Sequence, residues 1–199
     1  WMQPIVVVAL TTGMRLGEIL VLKWSNVSLE NGIIRVSWSV SETKTAGLQL
    51  KRPKTRSGER TITLSSMTVE ALRKTLVAQN ERSLRLGVGK ANDALVFDDW
   101  CRAGGKHGDL LGPKYVSNTF KRVMKGMDLP RIRFHGLRHT HISQLLLDGH
   151  PVITVSKRAG HKSAHMTLDI YGHLLPASDA DMMAAFYKKL EQVKYKNGQ

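Results

Sequence analysis

The spacing of apolar residues changes period along the chain, and each period predicts a different element. Residues 2–24 read as helix broken at Thr12-Gly13, with Leu16, Ile19, Leu20 and Lys23 at helical spacing and Glu18 in the early turns. Asn31-Gly32 marks a turn. Ile34, Val36, Trp38 and Val40 then alternate with Arg35, Ser37 and Ser39, which predicts one half-buried strand. Residues 48–52 and 60–64 predict two further strands, joined by a turn over 53–59 that contains Ser57-Gly58. Together these form a small antiparallel sheet of about three strands, a common minimum for independent stability.

Beyond the sheet the period is helical. Ser66 and Glu70 lie near a helix start, with Val69, Leu72 and Leu76 as its apolar stripe. Residues 84–111 read as loop-rich, with Gly87, Gly89, Gly104 and Gly105. Val116, Phe120, Val123, Met124 and Met127 mark an amphipathic helix. Further helices are predicted over 137–147, ended by Gly149, and over 152–158, ended by Gly160. Residues 167–175 lead to Pro176, and a last helix covers about 178–193. No repeat or low-complexity linker interrupts this order. The predicted fold class is α+β: a mainly α-helical domain with a small three-stranded antiparallel sheet near the N-terminus.

Composition narrows the functions. The formal charge is +14 over 199 residues, and the basic residues run through core-forming segments rather than a tail. Such a surface gains free energy by releasing counterions from a polyanion, so nucleic acid is the favoured partner and an acidic membrane surface the second. The single cysteine, Cys101, allows neither an internal disulfide nor a cysteine metal cluster. The longest apolar run, residues 5–10, is far too short to span a bilayer. No membrane association and a cytoplasmic location are expected.

Six polar residues sit where local structure changes. Arg15 follows the Thr12-Gly13 break, Lys54 lies on the predicted hairpin turn, and His135 and Arg138 share a face at a helix start. His161 follows a helix-ending glycine, and Tyr171 comes ten residues later. These are the parts of phosphoryl transfer without a metal or other cofactor. Planar guanidinium forks hold the non-bridging oxygens and neutralise charge that develops in the transition state. A tyrosine hydroxyl is a weak nucleophile until a base assists it, and histidine serves near neutral pH. The departing 5′ oxygen needs a proton, which a lysine on a hairpin supplies.

Thr12-Gly13-Met14-Arg15-Leu16-Gly17-Glu18, Phe134-His135-Gly136-Leu137-Arg138-His139-Thr140, Ala159-Gly160-His161 and Thr167-Leu168-Asp169-Ile170-Tyr171 occur in that order. Pro53-Lys54-Thr55, with Ser57-Gly58 and Arg60, lies between the first two. This series resembles the motifs of the tyrosine recombinase (phage integrase) family over about residues 1–175. The resemblance implies that Arg15 and Arg138 bind the scissile phosphate and that Lys54 is the general acid. It implies that His135 acts in proton transfer, His161 hydrogen-bonds the phosphate, Tyr171 attacks, and Glu18 positions Arg15 or its neighbours. It also implies a site-specific recombinase that integrates and excises a mobile element through a 3′-phosphotyrosine intermediate. The expected partners are double-stranded attachment sites, a homotetramer on DNA, and accessory DNA-bending or directionality proteins.

On this reading residues 1–177 are a catalytic domain, clipped at its first helix and lacking upstream DNA-binding domains. Residues 178–199 are a C-terminal helix and tail that dock onto a neighbouring protomer. The rival readings are a non-catalytic DNA-binding regulator of the same fold, a type IB topoisomerase-like enzyme and a metal nuclease. His135 and His139, at i and i+4, suggest zinc, but no cysteine or nearby carboxylate completes a set. His139 is read instead as a packed or hydrogen-bonded support for its neighbours. Tyr115, Tyr187 and Tyr195 are the rival nucleophiles.

Overall fold

In the computed structural model the described residues are 1–43, 45–52, 58–89, 93–99, 104–127 and 130–175, with short pieces at 179–180, 182–184 and 186–188. Lys54, Cys101 and Tyr195 lie outside them. Helix α1 (Met2–Thr12) ends at Gly13, whose φ of 68° is left-handed. Helix α2 (Leu16–Leu20) follows, and its Glu18 carboxylate accepts the Arg15 backbone N–H at 2.9 Å, as a capping residue does at a helix start. The chain leaves α2 through a short 3-10 turn (Trp24–Asn26) instead of continuing as helix to residue 24.

The sheet region differs from the sequence reading in two ways. The expected single strand over 34–40 is broken: β2 (Ile33–Val36) and β3 (Ser39–Thr43) belong to different sheets. The expected pairing of the next two strands is also absent. β4 (Gly47–Lys51) pairs with β3 in a two-stranded hairpin, whereas β5 (Arg60–Thr63) crosses back to β2, which also pairs with β1 (Val27–Ser28). A three-stranded antiparallel sheet exists, in the order β1-β2-β5.

Burial explains both differences. Ile34 and Ile62 are partners in the register and both are buried, so β5 gains more against β2 than against the solvent-exposed β4. Trp38 is 38% exposed and stacks under the Arg52 guanidinium, so the alternation on which it counted as a core position has a surface cause.

Helix α3 (Ser66–Arg85) is capped by the Ser65 hydroxyl and ends within two residues of the start of the region expected to be loop. Helices α4 (Pro113–Lys125), α5 (Phe134–Leu147), α6 (Val152–Ala159) and α7 (Ala164–Tyr171) complete the described fold. The described pieces between 179 and 188 are helical, with Met182, Phe186 and Tyr187 exposed. Among the described residues no helix is long and apolar enough to cross a membrane.

The described residues form two hydrophobic clusters. The larger joins α1, α2, β2, β5, α3 and α4 to the first turn of α5 through Phe134 and Leu137. The smaller joins Ile142 and Leu146 of α5 to Val155, Ala159 and the ring of Tyr171. Helix α5 passes through both.

Gly17 is where α2 presses on β3. A Cβ there would lie 2.1 Å from the Val40 carbonyl oxygen, so backbone would have to move. Gly17→Ala is expected to destabilise the protein by about 1–3 kcal/mol, the usual penalty of overpacking. Gly89, with open space around it, is the control. Thermal melting checks the pair, and equal midpoints for the two alanine variants would refute the contact's importance.

Candidate active site

Five of the six sequence-predicted residues converge where α2, α5, α6 and α7 meet; the sixth, Lys54, is outside the described residues. Arg15 stands at the N-cap of α2. Its Nη1 donates to Glu18 Oε1 at 3.0 Å and its Nη2 to the Gly160 carbonyl at 3.0 Å, beside His161. Arg138, one turn into α5, is buried, and its Nη1 donates to the Gly13 carbonyl at 2.6 Å. Its Nη2 is buried with no hydrogen-bond partner in the structure. A buried charged donor left unpaired is costly, and it marks a place where an incoming anion gains more than it would at a satisfied arginine. Burial, with Arg15 nearby, lowers the Arg138 pKa to about 10, so the guanidinium is still charged at neutral pH.

His161 follows Gly160, whose φ of 68° closes α6 and turns the chain. Its Nδ1 is 2.7 Å from the Thr167 hydroxyl. Burial and the neighbouring Arg138 and Arg15 push its pKa down to about 4, so the ring is neutral at pH 7. Tyr171 ends α7 with its ring in the smaller core and its hydroxyl 2.6 Å from His139 Nδ1. Burial raises the Tyr171 pKa, and Arg138 pulls it the other way.

The sequence reading gave His135 a proton-transfer role and His139 a supporting one. The structure gives the tyrosine hydroxyl to His139; His135 stacks edge-on against that ring at 4.8 Å. The His135 pKa is lowered by burial and then by the charges of His139, Arg138 and Arg15. In the sequence His139 follows Arg138 directly, on the helix that also carries His135, and no local signal ranks one histidine over the other. Two of the rival tyrosines are described, and both sit elsewhere. Tyr115 stacks on Trp1 at 5.9 Å, and Tyr187 is exposed. The described residues hold no group of three metal-ligating side chains to join His135 and His139.

A second residue singled out by the structure is Arg60. It makes a buried, two-pronged ion pair with Glu18, at 2.8 Å and 3.1 Å. Burial pushes the Glu18 pKa up, but Arg60 and Arg15 more than offset this and hold it below its ordinary value. Arg158 lies behind them, donating to the His141 ring at 3.0 Å and to the Thr11 and Thr63 carbonyls. Beside the site, a groove of about 680 Å³ is lined by Lys121, Lys125, Arg131, Arg133 and Asn118 and reaches His135.

The sequence profile of the phage integrase family matches residues 1–178. The chain belongs to the phage integrase family. The chain spans about half the length of the curated relatives it matches. The ICEBs1 integrase of Bacillus subtilis (strain 168) is 30% identical over 177 residues, covering 88% of this chain and 45% of the relative. A XerC-like tyrosine recombinase of Caldanaerobacter subterraneus subsp. tengcongensis is 27% identical over 88% of this chain and 46% of its own length. Among solved structures, the Tn1549 transposon integrase in complex with transposon right end DNA superposes with a TM-score of 0.74 at 22% identity, over 93% of this chain and 57% of that one. XerA recombinase gives 0.62 at 24% identity, over 94% of this chain and 57% of that one. The likeness to these two structures shows that the fold is shared with them.

The two histidines held neutral by burial set a pH dependence of stability. His141, like His161, has its pKa pushed down to about 4, by burial and then by Arg158. In an unfolded chain both would titrate near 6.5. Between those values the unfolded chain binds more protons than the folded one, so stability falls as pH drops through that window. The thermal midpoint is expected to fall from pH 6.5 to pH 5, by about 2–4 °C for each kcal/mol lost in a domain of this size. His141→Gln should flatten the slope. A midpoint that rises on acidification would mean that the two rings are charged in the folded protein.

Proposed function

We propose that this phage integrase family member cuts and rejoins double-stranded DNA through a covalent bond to Tyr171, exchanging strands at specific sites of a mobile element. The observation that carries the reading is a buried tyrosine hydroxyl hydrogen-bonded to a histidine, within electrostatic reach of a buried arginine that has a donor to spare. The DNA-bound relative and the basic groove beside His135 support DNA as the substrate.

In the proposed step the Tyr171 oxygen attacks the scissile phosphorus and its proton passes to His139. Arg15 and Arg138 hold the non-bridging oxygens, with the Nη2 of Arg138, which no protein acceptor takes, supplying one of the contacts. With Thr167 donating to Nδ1 of His161, the ring proton sits on Nε2 and is available to the phosphate. The bond from phosphorus to the 5′ oxygen breaks, and Lys54 gives that oxygen its proton. The product is a 3′-phosphotyrosine ester and a free 5′-hydroxyl. One ester replaces another, so a second 5′-hydroxyl reverses the step on a new partner without a nucleotide cofactor. His135 braces the His139 ring, and Glu18 holds Arg15.

We assign residues 1–177 to the catalytic domain and residues 178–199 to a segment that docks on a neighbouring protomer. The working assembly is four protomers on two attachment sites, with accessory DNA-bending or directionality proteins, acting in the cytoplasm.

Covalent capture tests this. The protein is incubated, with chelator, with a pool of random-sequence duplexes that each carry one nick, so the cleaved flap escapes. Denaturation-resistant adducts are then recovered and sequenced. An adduct enriched in one sequence and lost in Tyr171→Phe is expected; enriched binding without any adduct would favour the regulator reading instead. On the captured duplex, His139→Ala should cleave about 10²–10⁴ times more slowly at neutral pH, the usual contribution of a positioned base. Its rate should climb with pH where the wild type levels off. A loss that is the same at every pH would place the base elsewhere.

A further inference from the structure

We propose that Arg60 is a positioning residue for strand cleavage: by occupying the Glu18 carboxylate from the buried side, it leaves Arg15 free for the phosphate and fixes the turn that carries His161. The inference rests on the cleavage reading above.

The geometry is a chain of buried contacts. Glu18 is almost fully buried and has two oxygens to share between four donor nitrogens. Arg60 Nη2 takes Oε2 at 2.8 Å and Nη1 takes Oε1 at 3.1 Å, the fork-on-carboxylate arrangement that fixes both partners in plane. The Arg15 backbone N–H takes a second place on Oε2 at 2.9 Å, and only Nη1 of its side chain reaches Oε1. The Arg15 side chain is accordingly 40% exposed, whereas Arg60 is 6% exposed. The charge ledger has the same sense. With one buried carboxylate between Arg15 and Arg60, the group keeps a net positive charge, and the exposed member carries it toward solvent.

Arg60 also touches the opposite wall. Its Nε donates to the Arg158 carbonyl at 2.7 Å, while Arg15 donates to the Gly160 carbonyl two residues on. The two guanidiniums therefore hold alternate carbonyls of the turn that leads into His161. Gly160 lies flat on Arg60: a Cβ there would be 2.7 Å from Nη1 and 2.9 Å from Cζ. Arg60 opens β5 and follows the segment that contains Lys54. One side chain thus links the edge strand β5 of the three-stranded sheet, the first arginine and the last histidine.

If Arg60 is lost, Glu18 is left with Arg15 as its partner, and the Arg15 fork turns onto the carboxylate and away from the substrate. Arg60→Gln is expected to slow single-turnover cleavage of the captured duplex by about a hundredfold at saturating DNA, the scale of a 1 Å misplacement. The DNA dissociation constant should change less than about threefold by the same reasoning, since the groove contacts remain. Arg60→Lys keeps the charge but loses the fork, and should fall between the two. Adding Glu18→Gln to Arg60→Gln removes the competing carboxylate and should recover part of the rate.

A substrate with sulfur in place of the 5′ bridging oxygen separates the routes, because sulfur leaves without a proton. The defect should persist on it. Recovery on the sulfur substrate would assign the defect to the leaving-group lysine and overturn the proposal. So would a loss that merely tracks the unfolded fraction seen by thermal melting, or a double variant slower than Arg60→Gln. An arm without DNA keeps the two readings apart: the Arg15 Nε–H resonance should shift in Arg60→Gln. A shifted resonance with no wild-type adduct would sink the cleavage reading while leaving the geometry intact; an unshifted one would sink this proposal alone.

Discussion

The arrangement depends on one buried carboxylate. Glu18 binds the start of its own helix, the exposed Arg15 and the buried Arg60, and through them the turn before His161. Burying a carboxylate is unfavourable unless it is paired and fully hydrogen-bonded. Here the partners are themselves cations that a phosphate site needs close together. The mutual repulsion of Arg15, Arg60 and Arg138 is contained by the one negative charge among them. Charge that would oppose folding in isolation becomes tolerable, and the surplus is what an anion meets.

Most of the helical framework was legible in the sequence because the helices are amphipathic and end at glycines. Val116 and Phe120 on one face of α4, and Gly160 closing α6, give local signals that tertiary packing does not contradict. The sheets were read less well. Strand alternation states which face is buried but not which strand is the partner, so β5 was joined to its sequence neighbour β4 rather than to β2. Trp38 misled for a related reason, since an aromatic at an inward-looking position can be covered by a single arginine.

For the site, ordered motifs located Arg15, His135, Arg138, His161 and Tyr171, which the fold brings together. They could not rank neighbours within a motif. Whether His135 or His139 meets the tyrosine is decided by the rotation of α5 relative to α7, a packing outcome with no local trace. Arg60 was visible only as the last position of a hairpin motif. Its partner lies 42 residues earlier in the chain, and nothing in composition or period connects them.

The two hydrophobic clusters divide the site along α5. Arg15 and Glu18 belong to the side held by the larger cluster, and the ring of Tyr171 belongs to the smaller. Among the described residues the smaller is built from fewer side chains, and fewer buried apolar contacts lower the cost of local opening. On the proposed reading the nucleophile is thus carried on the side with less packing around it, apart from the Arg15–Glu18 pair. On the same reading, a neighbour docked against the smaller cluster would change how firmly the tyrosine ring is held, and would reach the arginine contacts through the turn at Gly160.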